Sequence, residues 1–288
     1  MNVRLLEERD RAAVDAFLSR HAPTSMFLRA NIAGFGIADG GDVLHGTYAA
    51  AYGEGGEIRA VGAHYRNGMV IVQAPARAQD AAEVARAAVE GSRRPVTGFA
   101  GAHAQVTAAR EGLGLSGRPA PIDSFEVLFV LSLADLVLPP ELSSPRVVCR
   151  RPREEELELL TEWRVRYSIE TLGSREGPEL REQARGAIAR AQAERRQWVL
   201  EHDGRLVAYT GFNAVLPDMA QIGGVFTPPA ERRRHYARAA VAGSLVDARN
   251  EGVRTAVLFT EDTNVAAQRA YIALGFQRAG DYALVLFE

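Results

Sequence analysis

The amino-acid sequence predicts an α/β protein of the mixed-sheet (α+β) kind, built as two tandem domains, each with a mixed, mostly antiparallel central sheet flanked by helices. Three observations carry this expectation. The same order of segments occurs in both halves: two helices, a three-strand meander, a helix, a strand, a helix and a strand. A stretch with prolines at 139, 140 and 145 around Ser143-Ser144 falls at the chain midpoint and has the composition of a linker. A chain of 288 residues, 47% of them apolar, is also ordinary for two cores. The predicted domains are therefore residues 1–137 and 146–288, joined by 138–145.

In the first half, residues 5–20, with Leu5, Val14, Phe17 and Leu18 as apolar positions, predict a helix, with a second over 25–35. Residues 46–52, 58–64 and 69–73 are alternating or apolar runs. Gly53-Glu54-Gly55-Gly56 separates the first two and Asn67-Gly68 the last two, which predicts an antiparallel meander. The glycine cluster lies between strands, whereas a phosphate cradle lies between a strand and a helix, so it is expected to be a hairpin turn. A helix over 81–89, a short strand over 95–100, a helix over 102–111 stopped by Gly112 and Gly114, and a long strand over 124–133 complete the half.

Beyond the linker, residues 146–150 predict a strand, 153–172 and 178–196 two helices, and 198–201 with 206–213 a hairpin across His202-Asp203-Gly204. The next strand, 221–227, stops at Pro228-Pro229, which cannot donate to a ladder. A short basic loop, Arg232-Arg233-Arg234-His235, then leads straight into a helix over 236–251. The first amides of a helix lack internal acceptors and carry partial positive charge, so this strand, loop and helix form an expected phosphate site. A strand over 254–260, a helix over 264–274 ended by Gly275, and a strand over 283–287 follow.

Composition narrows the function classes. All 34 basic residues are arginine, which excludes Schiff-base chemistry on a lysine. A formal charge of −2 removes the electrostatic footprint of a dedicated nucleic-acid binder. Cys149, in the apolar run Val147-Val148-Cys149, is the only cysteine, so neither an internal disulfide nor a cysteine-clustered zinc site is possible, and no metal is expected. The first residues lack the apolar core of a signal peptide, and no apolar run reaches the roughly eighteen residues of a membrane span. The expectation is a soluble cytoplasmic protein, monomer or homodimer, with no membrane or nucleic-acid partner.

Two segments resemble the GNAT acetyltransferase superfamily. Val225-Phe226-Thr227-Pro228 and the loop after it resemble the family's acetyl-CoA loop: Gln or Arg, two residues, Gly, one residue, Gly or Ala, after a strand ending Val-x-Thr-Pro. Arg232 matches the first position and Ala237 the last, while His235 stands at the central glycine and Arg233 at a second, weaker glycine position. Residues 264–276 are similar to the family segment Asn, two residues, Ala, three residues, Tyr, two residues, Leu-Gly-Phe. Asn264, Ala267 and Tyr271 fill its positions at helical spacing on one face.

The resemblance implies two GNAT-like domains, the second an N-acetyltransferase with acetyl-CoA as cosubstrate and no metal. Backbone groups of Val225, Phe226 and Thr227 would line the pantetheine arm, and Arg232, Arg233, Arg234, His235, Tyr236 and Ala237 would surround the pyrophosphate. Asn264, Ala267 and Tyr271 would complete the cofactor site. Tyr271 would donate a proton to the departing thiolate as a small-molecule or peptide amine attacks directly in a ternary complex. Many relatives carry a glutamate as base where this chain has Gln221, which takes no proton at neutral pH; Glu170, Glu261, Asp262 or a water chain are the substitutes. Histidine at the glycine position costs about 1 kcal/mol of strain, against roughly 0.3–1 kcal/mol gained from each exposed charge at a helix end. In the first half the equivalent loop, 75–80, has no glycine and one aspartate, and Arg110 and His103 stand at the tyrosine and asparagine positions. That implies a degenerate domain without acetyl-CoA. The alternative for the whole chain is a catalytically impaired GNAT pseudoenzyme that binds CoA or a partner.

Overall fold

The computed structural model describes residues 2–287. The chain packs as two compact units, one built from residues up to Leu128 together with those from Ala279 onward, the other from Phe129–Arg278. Its elements run β1 (Asn2–Leu5), α1 (Arg11–Ser19), α2 (Ala22–Phe35), β2 (Gly46–Tyr52), β3 (Ile58–Tyr65), β4 (Met69–Gln73), α3 (Asp80–Ser92), β5 (Gly98–Gly101), α4 (His103–Gly112) and β6 (Ile122–Ser132). They continue with β7 (Val147–Arg150), α5 (Leu157–Leu172), α6 (Pro178–Ala193), β8 (Gln197–His202), β9 (Arg205–Val215), β10 (Met219–Phe226), α7 (Tyr236–Asn250), β11 (Thr255–Glu261), α8 (Val265–Ile272) and β12 (Gln277–Leu286).

In the first unit the strand order is β1-β2-β3-β4-β5-β12. The meander β2-β3-β4 is antiparallel, turning at Gly56 and Gly68, both at positive φ, and β4 pairs β5 in parallel across the α3 crossover. The start of the expected first helix is instead β1: Asn2–Leu5 pairs antiparallel with β2, and the helix begins only at Arg11 after a short turn over Glu8–Asp10. Val3 packs against the core while Arg4 reaches Asp10, an alternation of sides that a four-residue strand satisfies and a helix would not. The core gathers Val70, Val72, Val84, Phe99 and Val106 with Ala283 and Val285 of β12.

In the second unit the order is β11-β10-β9-β8-β7. Adjacent residues of β8 face opposite ways, as a strand requires: Val199 packs with Leu160, Trp163 and Ile188 of α5 and α6, and Leu200 with Tyr236, Ala239 and Ala240 of α7. The small residues of α7 let it lie close to the sheet. A Cβ on Gly243 would come within 2.4–2.5 Å of the Cys149 side chain, and burial there, with Asp247 adding, pushes the Cys149 thiol up to about 12.

The compact units do not divide at residues 138–145. That stretch holds a helical turn, Pro140–Ser143, whose Glu141 accepts from the Arg238 guanidinium at 3.0 Å and 3.2 Å, and Leu142 packs against the α7 cluster. The prolines shape a strap on the second unit. The division instead runs through two long strands, β6 between Leu128 and Phe129 and β12 between Arg278 and Ala279. No helix among the described residues is long and apolar enough to cross a membrane.

Candidate active site

The site is built where β10 and β11 part. They pair in parallel at Met219↔Thr255, Ala220↔Ala256 and Gln221↔Val257; beyond that rung both strands run on, to Phe226 and Glu261, without a further shared rung. The β11-facing edge of residues 222–226 is therefore left without a strand neighbour. On its other side β10 pairs with β9, with register shifts between Gln221 and Ile222 and between Gly223 and Phe226, and Gly224 sits at φ 63° within the second. Bulges of this kind bend a strand away from its partner.

Gln221 closes the last rung. It is 1% exposed; its Nε2 donates to Ile222 O at 2.6 Å, and Oε1 has no protein partner among the described residues. Val225 and Phe226 end β10, Phe226 packing against Trp163 at 6.1 Å between ring centroids. Thr227 O accepts from Arg232 Nε at 3.0 Å, which folds the basic loop back over the strand end.

The loop meets α7 in an unusual backbone conformation. Arg233 (φ 64°) and His235 (φ 60°) are both left-handed, a region costly for any side chain with a Cβ. These are the two positions where the related loop pattern has glycine. The conformation has a consequence for the amides. Ala239 N is the first to bond back, to His235 O; among the described residues the amides of 233–238 have no protein acceptor. They lie at the positive end of a 15-residue helix. Around them Arg234 pairs with Glu231 at 3.1 Å and Arg238 with Glu141, while the exposed Arg233 has no carboxylate partner among the described residues. Tyr236 turns its ring inward, its hydroxyl 2.5 Å from His202 Nδ1, and Ala237 follows in the first turn.

Asn264 caps α8, its Oδ1 accepting from Ala267 N at 3.1 Å, so two residues of the sequence pattern form one structural device. Tyr271 lies two turns further on, against Phe129 (6.5 Å) and Phe276 (6.0 Å). Burial, with a smaller contribution from Tyr167, raises its hydroxyl above the ordinary tyrosine range, so the group is a proton donor at neutral pH. Glu170, at the end of α5, bonds Arg232 Nη2 at 2.5 Å. Glu261 and Asp262 are exposed, and their carbonyls accept from the Gln268 amide.

One group escaped the sequence: Arg164 of α5. Its Cζ lies 5.0 Å from the Tyr167 ring centroid, and its Nη1 would lie 3.3 Å from a Cβ on Gly224, beside the Tyr209 hydroxyl. Its position three residues before Tyr167 puts both on one helical face, the only signal available.

The matching parts of the first unit are closed. Asp80 N, Ala81 N and Ala82 N donate to the carbonyls of Arg77, Ala78 and Gln79, and the buried Asp80 carboxylate sits at the start of α3 near Arg59 and Arg77. Ala74 N, just beyond β4, donates to the side chain of Gln105 at 2.8 Å. Arg110 is bonded to Asp123, and His103 lies edge-on to Phe125. Among the described residues no group of three metal-ligating side chains occurs.

Residues 157–276 match the model of the Acetyltransferase (GNAT) family. No curated protein matches the chain. Among solved structures it is similar to a GCN5-related N-acetyltransferase from Sphaerobacter thermophilus (15% identity, 99% of this chain and 94% of that one, TM-score 0.60). It is also similar to an acetyltransferase of the GNAT family from Colwellia psychrerythraea (14%, all of both chains, 0.53). A tandem GNAT protein from the clavulanic acid biosynthesis pathway aligns over 99% of this chain and 97% of its own, at 14% identity and a TM-score of 0.55. At these identities the likeness speaks for the fold.

Proposed function

We propose that this chain, whose residues 157–276 form a GNAT acetyltransferase domain, is an acetyl-CoA-dependent N-acetyltransferase that binds its cosubstrate in the Phe129–Arg278 unit. The observation that carries the proposal is the row of acceptor-free amides at residues 233–238, set at a helix N-terminus beside the parting of β10 and β11. A pyrophosphate satisfies such amides, and the free edge of residues 222–226 suits the amides of a pantetheine arm as an added strand would.

Bound acetyl-CoA supplies the thioester whose carbonyl carbon an amine attacks. Within the chain, Arg233 and the amides of α7 hold negative charge, and Tyr271 keeps its proton through neutral pH and delivers it to the departing thiolate. Glu170 is already neutralised by Arg232, and Gln221 cannot accept a proton, which leaves the exposed carboxylates of Glu261 and Asp262, or water, to take the proton of the attacking amine. The closed helix start of the first unit, with Gln105 seated on Ala74 N, leaves that unit without a CoA site of its own.

Calorimetric titration of the full chain with acetyl-CoA tests the proposal: one saturable site is expected, and no heat at millimolar CoA overturns it. The buried Gln221 at the position where relatives carry a glutamate, together with the pairing of Glu170 with Arg232, favours a second reading, a CoA-binding pseudoenzyme. It is distinguished by CoA binding without thiol release across a panel of amines.

A further inference from the structure

The carboxylates of α5 are all engaged. Glu158 pairs with Arg181 and Arg185, Glu162 with Arg166, and Glu170 with Arg232. Arg164, on the same helix, has no carboxylate partner among the described residues. It is half-buried, so its charge is partly stripped of water, and two aromatic neighbours flank its guanidinium: the Tyr167 ring, 5.0 Å from Cζ, and the Tyr209 hydroxyl, which shares its place beside Gly224. The guanidinium lies against Gly224, two residues before the strand end and within the bulge that opens β10. Tyr167 in turn interacts with Tyr271. An oriented, partly desolvated fork of donors without an anion, this close to the proposed reacting centre, matches the planar two-oxygen geometry of a carboxylate.

We infer that the amine acceptor is a small molecule bearing a carboxylate, an amino acid, and that Arg164 is the residue that selects it. This rests on the acetyl-CoA reading of the site. The pantetheine arm and thioester are neutral, so the cosubstrate offers Arg164 no counter-charge at this end. Tyr167 and Tyr209 are positioning residues that hold the guanidinium. The chemistry is that of the proposed reaction: the neutral amine forms the new N–C bond, the C–S bond breaks, the thiolate takes a proton, and the carboxylate stays unchanged while it fixes the molecule.

The test uses the full chain saturated with CoA, titrated calorimetrically with matched pairs of N-acetyl amino acids and their amides, with glycine, leucine and phenylalanine as side chains. At least one acid is expected to bind tenfold or more tightly than its amide. Arg164→Gln should bring the acid down to the level of the amide while retaining the CoA heat, and Arg164→Lys should recover part of the preference. Equal binding of acid and amide in every pair overturns the inference, as does a preference that survives Arg164→Gln. If Arg164→Gln does not fold, Arg164→Lys decides: a preference reduced at least threefold supports the assignment, an unchanged one overturns it. Absence of a CoA heat in the parent defeats the acetyltransferase reading itself; a CoA heat without discrimination defeats only the role given to Arg164.

Discussion

Arg232 and Glu170, 62 residues apart, meet at 2.5 Å and tie the basic loop to the end of α5. Two groups that the sequence offers for different tasks, an anion contact and a base, thus neutralise one another. Both are about two-fifths exposed, so the pair is worth roughly 0.2–1 kcal/mol. A double-mutant cycle of Glu170→Gln and Arg232→Gln should return a coupling of that size in acetyl-CoA affinity or stability. Glu170→Gln should lower kcat by less than about tenfold, well short of the 10²–10⁴ of a lost base. A larger loss that also removes the acid limb of the pH–rate profile would restore Glu170 as the base.

Tyr271→Phe should lower kcat by about 10²-fold or more, with acetyl-CoA affinity nearly unchanged, because the ring contacts to Phe129 and Phe276 survive loss of the hydroxyl. Since burial raises that hydroxyl, the parent should show no alkaline loss of kcat from tyrosine ionisation below about pH 10, the unperturbed value. Steady-state kinetics across pH checks both points.

His235 is left-handed in the chain alone, so its strain is present before any ligand arrives. Replacement by glycine should therefore appear as stability, a gain of up to about 1 kcal/mol in urea unfolding, with little of it in affinity. An affinity gain without a stability gain would mean that the loop reaches this conformation only on binding.

At the other end of the chain, Arg4 donates to both oxygens of Asp10 at 2.8 Å and 2.6 Å, and Glu7 N adds a third bond at 2.9 Å. The Arg4 bonds chiefly, and the Glu7 amide next, hold the Asp10 carboxyl down at about 2. A depressed carboxylate stabilises the fold fully above its unfolded value of about 3.9, and that stability fades as pH falls towards about 2. Asp10→Asn should remove this share of the decline in urea midpoint between about pH 4 and 2, while leaving the slope from other carboxylates.

Much of this was legible because local chemistry punctuates the chain. Pro228-Pro229 ends β10, Gly275 follows the last turn after α8, and Asn67-Gly68 turns the meander where its dipeptide demands. The glycine positions taken by Arg233 and His235 pointed to the backbone that both residues adopt. Long-range pairings were not legible. Nothing near Glu170 announces Arg232, and Leu5, an apolar residue close to the first helix, belongs to a strand against Ala49. Arg164 does not stand out in the sequence, because an arginine on a helix is usually solvated; only the pairing of the α5 carboxylates with other arginines sets it apart.

The path of β12 bears on how the protein is made. Ala283 and Val285 complete the hydrophobic interior around Val70 and Phe99, yet they leave the ribosome after every residue of Phe129–Arg278. Residues up to Leu128 must wait, their β5 edge exposed, for a strand made only after the second unit. A nascent chain halted anywhere before β12 should stay protease-sensitive in its early residues, however complete the later unit has become.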